Sequence, residues 1–146
     1  AALSFGNLTS FLVSLGGEFH ADPDQAKVAL AQSRSFNVIH RMAYKFDLFP
    51  AANDFEAEEL RRRQWIDIPG LSSLPVPIVT AEDTVLAKLR WYQQGGEASE
   101  LQWRDILGVL KANHGKLDEA YLGRWAMKLG VSRLYERAWD RASELD

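Results

Sequence analysis

The chain has no cysteine among its 146 residues. Disulfides, thiolate zinc sites and cysteine nucleophiles are therefore excluded, which fits a reducing, cytoplasmic setting. A basic excess is also missing: 17 Lys and Arg against 20 Asp and Glu give a formal net charge of −3 and a pI near 5.6. That balance argues against a general nucleic-acid or anionic-membrane binder, which would concentrate positive charge on its surface. No stretch approaches the roughly 20 apolar residues that a membrane span requires. The first seventeen residues carry no charge, but they lack a basic leader segment, and Asn, Thr and Ser interrupt them. An amphipathic helix explains that run better than a secretory segment does. The phosphate-binding GxxxxGK(S/T), dinucleotide-binding GxGxxG, hydrolase GxSxG and zinc-protease HExxH patterns are all absent, so those reaction classes have no support. Residue 1 is Ala, not a start Met, and the chain reads as a fragment or the ordered part of something longer.

What is present is a core. Apolar residues make up 47% of the chain, enough for one ordinary domain of this length. Asn7 is a plausible cap for a helix carrying Leu8, Phe11, Leu12 and Leu15, stopped by Gly16-Gly17. Asp22-Pro23 opens a second helix through about Gln32, with Ala26, Ala29 and Leu30 inward. Ser35 to Phe49, SFNVIHRMAYKFDLF, then pairs two runs of strand formers around a break at Arg41-Met42, a β-hairpin signature. In its second strand Tyr44, Phe46 and Leu48 share one face, and Lys45, Asp47 and Phe49 the other.

Beyond Pro50, Asn53 or Asp54 can cap a helix ending in Arg61-Arg62-Arg63. Trp65, Ile66 and Ile68 suggest a strand, Pro69 to Pro75 a turn, and Val76, Ile78 and Val79 extended chain, with Pro77 favouring an edge. Four helices follow: one capped at Thr80 with Val85, Leu86, Leu89 and Tyr92, and one capped at Ser99 with Leu101, Ile106, Leu107 and Leu110. The third is capped at Asp118 with Leu122, Trp125, Ala126 and Leu129, and the last opens at Ser132 with Leu134, Tyr135, Ala138 and Trp139. The expected fold class is α+β, a small mixed sheet with helices on one side and a helical tail. The expected organisation is a single domain over residues 1–146, with an α/β core over 1–80 and the tail over 81–146.

Few residues stand out chemically. Aspartate is disfavoured inside strands, so Asp47 is either a solvated carboxylate, paired with Lys45 or a downstream arginine, or a metal ligand displayed from a rigid strand. Asp22-Pro23-Asp24 has D-x-D spacing but suits an ordinary helix start. His20, His40 and His114 fall in separate elements without zinc-ligand spacing. Arg61, Arg62 and Arg63 could hold phosphate, although such a run is more often a solvated helix face. Lys88 and Asp105 read as a snorkelling lysine and an ion-pairing carboxylate, and Trp91, Trp103, Trp125 and Trp139 as packing for the tail.

The segments SFNVIH, YKFDLF, TAEDTVLAKLRWY with the following GGE, QWRDILGVL and LGRWAMKLGV resemble a group of small bacterial nucleotidyltransferase-fold proteins. The resemblance covers most of Ser35–Arg141. It implies in-line nucleotidyl transfer from a nucleoside triphosphate to an unknown acceptor, served by Mg2+ on three carboxylates. Asp47 falls on the third of these positions and is the implied catalytic and metal-binding residue. Lys45, Lys88 and Asp105 are the implied cofactor-binding residues. The glycine turn and D-x-D that supply the first two carboxylates in that group would precede Asn7, and the chain shows almost nothing there. Gly16-Gly17 and Asp22-Pro23-Asp24 imitate the motif too closely in sequence to leave room for the intervening helix. The alternative implied is a catalytically inactive module acting through a protein partner, as in the toxin–antitoxin-like pairs that some relatives of the fold form.

Overall fold

A computed structural model describes residues 5–70 and 74–144. The chain is α+β, and its described residues form two small antiparallel sheets instead of one mixed sheet. It divides into two compact units, Ala1–Leu60 and Arg61–Asp146, so the division falls within the arginine-rich helix and not near residue 80.

In the first unit α1 (Phe5–Ser14) and α2 (Pro23–Ala31) accompany β1 (Phe19–His20), β2 (Phe36–His40) and β3 (Lys45–Leu48). Helix α1 begins before Asn7, so the expected cap lies inside the first turns. The start of α2 is set by local chemistry: the Asp22 carboxylate accepts the Asp24 and Gln25 amides at 2.9 and 3.1 Å, and Pro23 follows. The strands run in the order β1-β2-β3, with Phe36 opposite Leu48, Asn37 opposite Asp47, Val38 opposite Phe46 and Ile39 opposite Lys45. Alternation puts Phe36 and Val38 on the helix-facing side, where they pack with Leu8, Ala26 and Ala29 to form the core of this unit. The opposite side of the sheet carries Asn37, Ile39, Lys45 and Asp47, all of them exposed. Its hairpin turns through Ala43, whose φ of 64° is a left-handed conformation usually left to glycine.

Helix α3 (Asp54–Arg62) is capped by Asn53, whose side chain accepts the Glu56 amide at 3.0 Å. In the second unit β4 (Gln64–Ile66) pairs antiparallel with β5 (Val76–Ile78), placing Trp65 opposite Pro77. Of the expected intervening turn, Leu71, Ser72 and Ser73 lie outside the described residues. The helices α4 (Ala81–Gln94), α5 (Glu100–Ala112), α6 (Glu119–Lys128) and α7 (Ser132–Ser143) form the bulk of the unit. Thr80, Ser99 and Asp118 cap the first three through their side chains, each satisfying an amide that the helix leaves without a partner. Val85, Leu86, Leu89, Ile106, Leu110, Leu122, Ala126, Leu134 and Ala138 are buried together as the apolar stripes required. Two residues depart from expectation: Trp91 is 54% exposed and Leu101 64% exposed. No helix among the described residues is long and apolar enough to cross a membrane.

Candidate functional site

Asp47 sits in the middle of β3, on the side of the sheet turned away from α1 and α2. Its side chain is 48% exposed, and one carboxylate oxygen is engaged twice. The Lys45 ammonium lies 3.1 Å from Oδ1, and the amide Nδ2 of Asn37, directly across the strand pair, donates a hydrogen bond to the same atom. Both contacts follow from the pleat. Residues two apart on one strand and opposite on its neighbour share a face. An open groove on this unit is lined by His20, Gln25, Val28, Asn37, Ile39 and Phe49, among others, but not by Asp47.

Magnesium takes oxygen ligands in near-octahedral geometry. Asp47 alone does not fit a resident ion: it offers one carboxylate, already held by an ammonium and an amide. Among the described residues no group of three or more His, Asp or Glu side chains gathers as a metal would require. The D-x-D look-alike is occupied elsewhere. Asp22 caps α2, and the amides of Gln25 and Asp24 hold its carboxyl below the usual carboxylate range, with a smaller opposing push from burial. Asp24 pairs with Lys27 at 3.3 Å. Of the histidines, His40 rests edge-on against Phe19 with ring centroids 4.8 Å apart, and His114 lies beside Trp139.

Lys45 and Asp47 belong to the first unit, and Lys88 and Asp105 to the second. There Lys88 on α4 donates to Asp105 on α5 at 2.9 Å. The pair is 25% and 48% exposed, an ordinary inter-helix ion pair of modest worth.

The most deeply engaged polar group was not singled out by the sequence. Asp83, in the first turn of α4, is 0% exposed. Its Oδ2 accepts the Thr80 hydroxyl at 2.7 Å and the Arg62 Nε–H at 3.3 Å, and its Oδ1 accepts the Tyr121 hydroxyl at 2.5 Å. The Arg62 guanidinium stacks on the Tyr121 ring, 3.8 Å from its centroid, and also reaches Glu82 at 3.4 Å. Arg62 is therefore not a solvated helix-face residue; its charge is committed to α4. Burial pushes the Glu82 carboxyl up, but the amide of Asp118, its own amide, the Thr80 hydroxyl and the Arg62 guanidinium together outweigh that and hold its pKa below the ordinary value. Among the described residues no buried side-chain nitrogen or oxygen lacks a hydrogen-bond partner, as a buried charge demands. The closed geometry of this network marks it as a structural clasp joining α4 to α6. The only sequence signal for it was the Thr80–Asp83 capping spacing, which explains one of its bonds.

A scan against protein-family models gives no match for this chain, and searches of curated proteins and of solved structures give none either.

Proposed function

We propose that this chain is a nucleotidyltransferase-like module in which Asp47 occupies the third-carboxylate position, and that the residues present act by association with a partner chain. The resemblance in SFNVIH, YKFDLF, TAEDTVLAKLRWY and QWRDILGVL supports the family. The observation that carries the mode of action is the engagement of Asp47 by Lys45 and Asn37 on an exposed sheet face. A carboxylate neutralised in this way helps to build a surface. Two-metal transfer requires several free carboxylates around the ions.

A second reading is favoured by the same strand. Asp47 is fixed by a regular hairpin and is half-exposed, so carboxylates supplied from outside the described residues could complete a site around it. The test is a labelled-transfer assay with Mg2+ and each nucleoside triphosphate, comparing the chain with its Asp47→Asn variant. Association predicts no labelled product from either. Transfer by the chain that is lost in Asp47→Asn, with the melting temperature retained, overturns association in favour of catalysis.

A further inference from the structure

The partner that best fits the exposed hairpin is written in its own edge strand. Strand β3 has β2 on one side and, among the described residues, no strand on the other, and Lys45, Phe46 and Asp47 are exposed on it. The His40 amide donates to the Tyr44 carbonyl at 2.8 Å, which fixes the phase of the ladder. In an antiparallel pair the hydrogen-bonded positions alternate, so Val38–Phe46 is also a bonded pair, while Ile39–Lys45 and Asn37–Asp47 are not. The backbone N–H and C=O groups of Lys45 and Asp47 therefore point to the open edge. Unpaired edge groups of this kind template the addition of another strand.

We infer that two copies of this chain pair through their β3 edges, antiparallel about a two-fold axis at Phe46, to give one continuous six-stranded sheet. This deepens the association reading by naming the partner. In this register Lys45 of each copy opposes Asp47 of the other. These are the residues whose backbone groups face the edge, so four inter-copy backbone hydrogen bonds form, and both unlike charge pairs lie on the side of the sheet that carries Asn37 and Ile39. On the helix-facing side Phe46 meets its symmetry mate, and Tyr44 meets Leu48 of the other copy. Two exposed aromatics, Tyr44 at 61% and Phe46 at 48%, are covered at once. Centring the axis one residue either way sets Lys45 against Lys45 or Asp47 against Asp47, and like charges directly opposite destabilise a sheet. Edge charges that ordinarily block pairing here select a single isologous register. The paired segment is short, well below the roughly 800 Å2 per partner of a stable interface, so the dimer is a reversible one that forms with rising concentration.

The test uses charge reversal. The Lys45→Asp chain presents two carboxylates on its edge and the Asp47→Lys chain two ammonium groups. Each sediments as a monomer at concentrations where the wild type associates, with at least a tenfold weaker dissociation constant. Mixed one to one, they form a heterodimer in which both pairs are again unlike. Because the wild-type chain has no cysteine, Phe46→Cys introduces a single thiol. Across a non-bonded pair the Cα atoms lie about 4.5 Å apart, within disulfide reach. Phe46→Cys oxidises to a covalent dimer at least tenfold faster than Val13→Cys, which carries its thiol on α1 at a position 75% exposed in the wild type. No association on mixing the two charge variants, or equal oxidation rates for the two cysteine variants, overturns the inference. A monomeric chain rules out a second copy as partner, whereas the association reading as a whole falls only on the transfer assay.

Discussion

Removing the Asp83 carboxylate is the most informative perturbation of this fold. In Asp83→Ala the Tyr121 hydroxyl, the Thr80 hydroxyl and the Arg62 guanidinium all lose an acceptor that lies within 2.5–3.3 Å. Breaking one partner from a buried ion pair costs about 3–5 kcal/mol, because the remaining charge is left uncompensated. The lower end applies here, since Arg62 keeps Glu82 at 3.4 Å and its stack on Tyr121. A loss of about 3 kcal/mol in a unit of 60–100 residues lowers Tm by roughly 12 °C or more. Thermal and guanidinium unfolding followed by circular dichroism reads this directly. The double variant Arg62→Met with Asp83→Ala should cost less than the sum of the singles by about 1 kcal/mol or more, because the orphaned charge is gone. Additivity within about 0.5 kcal/mol, or an Asp83→Ala chain as stable as the wild type, would refute the clasp.

Other consequences are smaller. Asp105→Asn breaks an exposed pair with Lys88 and should change unfolding stability by less than about 1 kcal/mol in the same denaturation assay. Glu82 has a folded-state pKa below its ordinary 4.5; its contribution is complete above that value and is lost as pH falls through the folded-state pKa. Glu82→Gln should therefore flatten the acid side of the stability profile, measured by denaturant midpoints from about pH 7 to about pH 3. Ala43 holds φ at 64° in the hairpin turn, a conformation costing an L residue about 1–2 kcal/mol. Ala43→Gly should raise the unfolding free energy by up to about 1 kcal/mol net of glycine's larger unfolded-state entropy, and Ala43→Val should lower it, both read by denaturant unfolding.

The sequence alone determined what depends on neighbours along the chain. The Asp22, Asn53, Thr80, Ser99 and Asp118 caps, the hairpin from Phe36 to Leu48 and, Leu101 apart, the apolar stripes of the four C-terminal helices were legible. Each rests on contacts a few residues apart or on strand and helix periodicity. The engagement of Asp47 by Lys45 was foreseeable from the same period of two; its bond to Asn37 needed the strand register. Only tertiary structure decided that Arg62 belongs to Asp83 and Tyr121, residues 21 and 59 positions further along, and that Trp91 is left about half exposed. It also decided that the strands make two separate antiparallel sheets. A buried carboxylate and an exposed one look alike in sequence. Burial and the partners that make it tolerable arise from long-range packing, which no local pattern encodes.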